Sequence, residues 1–79
     1  MQIEVRLFAT LRPYMPDVGI GEGKPWSVEP GTTIAQLIPQ LEVPAPEIKV
    51  VMVNGRSQPL DYTLAAGDRV SIFPAVGGG

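Results

Sequence analysis

Residues 48–60, IKVVMVNGRSQPL, decide the fold of this chain. The first half is rich in β-branched residues, which favour a strand, and Asn54-Gly55 is the strongest short signal for a tight hairpin turn. We therefore expect a strand, a turn and a short return strand. The later segment AAGDRVSIFPAV predicts another turn and a last strand, because Val70 and Ile72 alternate with Arg69, Ser71 and Phe73.

The residues before this hairpin predict two further strands and a loop. Residues 2–8, QIEVRLF, alternate with period two, which is typical of a half-buried strand. Residues 25–30, PWSVEP, predict a short second strand. Between them, residues 12–25 combine three prolines with alternating glycines, so we expect a long, mobile loop.

One helix is predicted within PGTTIAQLIPQLEVPAP. Thr33 and Gln36 fit a capping box, in which each residue's side chain bonds the other's backbone N–H. Pro39 removes the hydrogen bond to the Ala35 carbonyl, so we expect the helix to kink or tighten near Ile38. The apolar residues at helical spacing are Ile34, Leu37, Ile38 and Leu41.

The order of these elements predicts an α+β fold. A helix between two hairpin-like units covers one face of a mixed sheet of four to five strands. The simplest closure places the first and last strands side by side and parallel in the middle, which is the β-grasp arrangement. We expect one β-grasp domain over residues 1–75 and an extended, flexible glycine tail over residues 76–79.

The composition excludes several classes of function. The chain has 79 residues with neither cysteine nor histidine, and its eight carboxylates are scattered, so we expect no metal site and no catalysis by this chain alone. A net charge of −2 argues against nucleic-acid binding. No apolar window could span a bilayer, so a cytoplasmic protein is expected. The run GIGEGKP lacks the spacing of a phosphate loop.

Two aromatic residues suggest a docking patch. If the alternating apolar residues face the helix, Phe8 and Phe73 both point to the open face of the sheet, close together on parallel strands. Twist, a bulge or a covering loop could instead bury one or both. The arginines that could surround this patch are Arg6, Arg12, Arg56 and Arg69.

The last residues, 73–79, read FPAVGGG. A frayed terminus is the simple interpretation. Yet glycine keeps a chain thin and free to extend, so such a tail could enter a narrow tunnel in a partner and present the Gly79 carboxylate. An ionised carboxylate is a poor electrophile, so another protein would have to activate it with ATP, as an acyl-adenylate. The chain would then be a substrate and carrier.

The run VMVNGRSQPLDYTLAAGDRVSIFPAVGGG resembles the second half of the MoaD/ThiS family of ubiquitin-like sulfur carriers. EVRLFATLR and PGTTIAQL match more loosely, and FPAVGGG is more similar to the small subunit of molybdopterin synthase than to the thiamin-pathway carrier. Departures from the family pattern are the polar Ser57, Pro39 within the helix, and Ala75 in place of a frequent proline.

The resemblance implies a definite chemistry. An E1-like enzyme would use ATP and magnesium to adenylate Gly79, and a sulfur donor of the desulfurase or rhodanese type would convert the adenylate to a thiocarboxylate. The tail would then insert into the large subunit of molybdopterin synthase, or an analogous acceptor, with no cofactor held permanently. The residues implied are Gly79 as the reactive end, Gly77 and Gly78 for threading, and Phe8, Phe73, Pro74, Val76 and Arg69 for partner binding.

Three alternatives stay open at this point. The sulfur could serve thiamin synthesis or another thiocarboxylate pathway. The chain could be a ubiquitin-like modifier that forms isopeptide bonds through Gly79. It could also be a plain interaction domain with an idle tail.

Overall fold

The computed structural model of the chain describes residues 1–19 and 21–75. These residues form five strands, one α-helix and two short 3-10 helices. The strands are β1 (Gln2–Leu7), β2 (Lys24–Ser27), β3 (Ile48–Val53), β4 (Arg56–Ser57) and β5 (Arg69–Pro74). The helices are α1 (Ile34–Gln40) and the 3-10 helices Ala9–Tyr14 and Ala45–Glu47.

The strands form one mixed sheet in the order β2-β1-β5-β3-β4. The first and last strands are parallel neighbours in the middle, with Val5 opposite Val70 and Leu7 opposite Ile72, and every other pairing is antiparallel. The predicted α+β, β-grasp fold is therefore confirmed, with five strands.

The core lies between one face of this sheet and α1. The side chains of Val5, Val70 and Ile72 are fully buried and belong to one core cluster with Ile34 and Leu37 of the helix. Each such side chain contributes about 1.5–3 kcal/mol relative to an exposed one. Because side chains alternate along a strand, the neighbours of these core residues lie on the opposite face, which α1 leaves open.

Helix α1 begins as its sequence predicts and tightens in its last turn, ending at Gln40. The Thr33 hydroxyl accepts from the Gln36 N–H at 3.3 Å, and the Gln36 side chain accepts from the Thr33 N–H at 3.0 Å. At the other end the Leu41 N–H is shared between the carbonyls of Leu37 and Ile38, which is the expected tightening after Pro39.

The predicted loop over residues 12–25 is wrong at both ends. A 3-10 helix covers Ala9–Tyr14, and its Leu11 is fully buried, followed by the buried Met15. Strand β2 begins at Lys24 and ends at Ser27, earlier than the predicted 25–30. Prolines and glycines dominate the local sequence signal, whereas burial of Leu11 and Met15 determines the observed path.

The hairpin turn is confirmed, and it takes part in a polar network that the sequence did not reveal. Asn54 and Gly55 have φ of 52° and 84°, as a two-residue hairpin turn requires. The Asn54 side-chain amide donates to the buried Asp68 carboxylate at 2.9 Å, and the Ala65 N–H donates to the other Asp68 oxygen at 2.8 Å. The Arg69 N–H completes the network by donating to the Asn54 side-chain oxygen at 2.9 Å.

Substituting Asp68→Ala should lower the free energy of unfolding by about 1–2 kcal/mol, because two donors lose their acceptor. Urea denaturation measures this as a lower midpoint with an unchanged slope. Asp61→Ala is the matched control, because Asp61 is exposed. Equal midpoints for the two variants would show that the network adds nothing to stability.

Candidate functional site

The candidate site lies at the end of the sheet where β1 and β5 finish together. Because these strands are parallel, residues that follow Leu7 and Ile72 emerge side by side, and the Phe8 N–H donates to the Ile72 carbonyl at 3.2 Å. The rings of Phe8 and Phe73 stack with centroids 4.5 Å apart and planes 10° apart. The structure thus brings together the two aromatic residues that the alternation predicted to converge.

Both rings are half-buried, whereas the sequence predicted an exposed Phe73. Each stacked ring covers part of the other. Strand β3 extends the same surface, since Val50 pairs with Phe73, Met52 pairs with Ser71, and both Val50 and Met52 are half-buried. We call Phe8, Phe73, Val50 and Met52 the open-face patch.

Two of the four predicted arginines lie on this open face. Arg6 is opposite Ser71 and Arg69 is opposite Glu4, which places them next to the patch. The Arg6 guanidinium contacts the Glu4 carboxylate at 3.3 Å, while Arg69 is exposed. Arg12 is half-buried in the first 3-10 helix.

The placement of Arg56 beside the patch is wrong. Arg56 pairs with Val53, whose side chain is buried in the core, so the register puts Arg56 on the helix-covered side of the sheet. The polar Ser57 instead pairs with Met52 and lies at the border of the patch.

The base of the tail is held by the residues at the start of β3. Pro74 is half-buried and pairs with Ile48 of β3, and the Ala75 N–H donates to the Glu47 carbonyl at 3.1 Å. The Glu47 carboxylate in turn accepts from the Tyr14 hydroxyl at 2.9 Å, and this hydrogen bond raises the pKa of Tyr14. No sequence signal pointed to this bridge, because the two residues are 33 positions apart.

The predicted tail residues Val76, Gly77, Gly78 and Gly79 lie outside the described residues, so their roles stay predictions. Within residues 1–19 and 21–75, no group of three or more histidine, cysteine, aspartate or glutamate residues could hold a metal ion. No helix in the described part of the chain is long and apolar enough to cross a membrane.

The strand order and the single α-helix of the described residues define a ubiquitin-like β-grasp fold. The ThiS family matches residues 5–79. The chain belongs to the ThiS family.

Solved structures place the chain among related small proteins. Small archaeal modifier protein 1 (SAMP1) from Haloferax volcanii is 26% identical with a TM-score of 0.72, and the match covers 100% of both chains. The HVO 2177 protein from the same organism is 28% identical with a TM-score of 0.75, over 100% of this chain and 87% of that one.

A third solved structure is the protein–protein complex of subunits 1 and 2 of molybdopterin-converting factor from Helicobacter pylori. One of its chains is 21% identical to this chain with a TM-score of 0.63, and the match covers 100% of both chains. At this identity the likeness concerns the fold. No match was found among curated protein sequences.

Proposed function

We propose that this chain is a sulfur-carrier protein of the cytoplasm whose reactive group is the carboxylate of Gly79. An E1-like enzyme uses ATP and magnesium to form an acyl-adenylate at Gly79. The persulfide of a sulfur donor of the desulfurase or rhodanese type displaces AMP to give an acyl disulfide, and a second thiol cleaves the S–S bond, leaving the thiocarboxylate and a disulfide on the donor side. The resulting thiocarboxylate donates sulfur for synthesis of the molybdenum or tungsten cofactor.

One observation carries the proposal: the stacked Phe8 and Phe73 lie at the end of the sheet from which the tail leaves. A partner that docks on the open-face patch is then in position to receive the following residues in a narrow channel. Residues 76–79 span at most about 14 Å when extended, which sets the depth at which the reacting atom must lie. The family match over residues 5–79 gives independent support.

The proposed acceptor is the large subunit of molybdopterin synthase or an analogous enzyme. The structure from Helicobacter pylori supports this choice, because there a chain of this fold belongs to the complex of subunits 1 and 2 of molybdopterin-converting factor. The surface that this chain offers to the acceptor is apolar at its centre, at the open-face patch, and charged at its edge, at Arg6 and Arg69.

The absence of cysteine makes the proposal directly testable. The chain contains no thiol, so a cysteine-selective alkylating reagent has no target unless the tail carries a thiocarboxylate. We expect protein isolated from its native cell to include a form with sulfur in place of one Gly79 oxygen, and tandem mass spectrometry should place the alkyl label on Gly79. Absence of this form from cells that are making the cofactor would contradict the proposal.

The second candidate function is protein modification, favoured by the likeness to SAMP1, which covers the whole of both chains at 26% identity. In that case the same activated carboxyl of Gly79 forms isopeptide bonds with lysines of other proteins. Immunoblots against the chain would then show ladders of larger covalent species, whereas a sulfur carrier gives a single band.

A further inference from the structure

Arg6 is incompletely paired on the open face of the sheet. Its guanidinium makes a single contact of 3.3 Å, to the Glu4 carboxylate, and both side chains are partly exposed. The Arg6 Nε is buried and has no hydrogen-bond acceptor among residues 1–19 and 21–75. A buried donor without an acceptor is unfavourable, and a partly exposed ion pair stabilises a chain only slightly. Glu4 therefore satisfies Arg6 only in part.

The Glu4 carboxylate lies in space that a side chain at position 23 would fill. A Cβ atom at Gly23, directly before β2, would overlap the Glu4 carboxyl group. The φ of Gly23 is outside the left-handed region, so the backbone at this position does not itself require glycine. What the glycine provides is room for the Glu4 carboxylate beside Arg6.

Arg6 lies next to the stacked rings of the open-face patch. It precedes Phe8 by two residues on β1. It is also opposite Ser71, which precedes Phe73 by two residues on β5. Residues two apart on a strand share a face and are about 7 Å apart. A partner surface that covers the two rings therefore reaches Arg6.

The charge of this face indicates what such a partner carries. The charged residues that β1 and β5 place on the open face are Glu4, Arg6 and Arg69, which have a net charge of +1. The whole chain has a net charge of −2, so the remaining residues carry −3. The two central strands thus present a cationic face in an acidic protein, which favours a partner with a carboxylate.

We propose that Arg6 binds a carboxylate of the docking partner, and that Glu4 occupies this position only in the free chain. The proposal rests on the proposed docking at the open-face patch and specifies its partner. The partner carboxylate displaces Glu4, the guanidinium turns toward it, and Nε and Nη2 donate together as a bidentate pair. The released Glu4 carboxylate stays next to a cation, because Arg69 is its ladder partner and is exposed. The partner surface is a glutamate or aspartate flanked by apolar side chains that cover Phe8 and Phe73.

Two short peptides test this exchange without any partner enzyme. Acetyl-Leu-Glu-Leu-amide and acetyl-Leu-Gln-Leu-amide are each titrated into the full, isotope-labelled chain and followed by NMR. We expect the glutamate peptide to shift the Arg6 Nε–H signal and the backbone signals of Phe8 and Phe73, with a Kd of about 1 mM. The glutamine peptide should bind at least about ten-fold more weakly, because its amide cannot accept a charge-assisted pair.

Three variants separate the exchange from general charge attraction. Arg6→Lys keeps the charge but loses the planar fork, so its Kd for the glutamate peptide should rise at least about five-fold. Gly23→Ala displaces the Glu4 carboxylate without changing any charge, so it should lower this Kd by about three-fold by leaving Arg6 unoccupied more of the time. Gly19→Ala is the matched control, because its Cβ overlaps the Glu22 carboxylate instead, and its Kd should equal that of the wild type.

Equal Kd values for the two peptides, or for the wild type and Arg6→Lys, would overturn the proposal. So would no binding of the glutamate peptide at about 10 mM, or signal changes centred on Lys24 or Lys49. An unchanged Kd in Gly23→Ala would overturn the role given to Glu4. Gly79 takes no part in these measurements, so their failure is distinguishable from a failure of the proposed sulfur transfer.

Discussion

Deleting Gly79 should abolish sulfur transfer, or conjugation if the chain is a modifier, while leaving the thermal midpoint of unfolding unchanged. The shortened chain still ends in a glycine carboxylate, so its intrinsic reactivity is the same. Its reacting carbon, however, is withdrawn by about 3.5 Å, the length of one extended residue. A misplacement of about 1 Å can already reduce a rate by 100-fold, so we expect loss of at least that factor.

Stability should not change, because the last described contact of the tail is the hydrogen bond from Ala75 to Glu47, four residues before the end. Activity is measured in the native cell as the form whose last residue can be alkylated, which is Gly79 in the wild type and Gly78 in the variant, and stability is measured by thermal unfolding. Adding one glycine after Gly79 is a second test of tail length. The extra residue displaces the carboxylate outward by the length of one residue, so we expect a loss of activity similar to that of the deletion. If pathway function survives the deletion, the chain is an interaction domain with an idle tail.

Local patterns were sufficient to predict the framework of this molecule. Asn54-Gly55 predicted the hairpin, Thr33 and Gln36 the start of the helix, and the alternation along residues 2–8 a strand with one buried face. Each of these signals lies within a few residues of the structure it predicts. Together they leave few ways to close the sheet, and the observed β-grasp order is the simplest of them.

Features that depend on distant residues were not predictable in this way. The Asn54–Asp68 network joins residues 14 positions apart, and the bridge from Tyr14 to Glu47 joins residues 33 apart. The position of Arg56 depends on the register of a two-residue strand, where a slip of one residue changes the face. Among the site residues, the convergence of Phe8 and Phe73 followed from strand order and alternation. The extent to which each ring covers the other depends on the 10° angle and 4.5 Å distance between them, which no local pattern encodes.

Substituting Phe73→Ala should weaken binding to the partner enzyme by about 30-fold or more, the effect of losing a central aromatic contact worth about 2 kcal/mol. The ring is half-buried in the free chain and contacts Phe8 over one face, so a partner can cover the remaining surface. For the same reason the substitution should destabilise the fold by less than about 3 kcal/mol, the lower limit for emptying a core aromatic site. Binding is measured as Kd for the enzyme that co-purifies with the wild-type chain, and stability by urea denaturation.

Trp26→Ala is the matched control for Phe73→Ala. Trp26 is also a half-buried aromatic residue on a strand, but it pairs with Ile3, packs against the core, and lies away from the open-face patch. We expect it to lower stability and to leave the Kd unchanged. A stability loss of 3 kcal/mol or more for Phe73→Ala, or equal effects of both substitutions on Kd, would mean that the stacked pair supports the fold and not the partner.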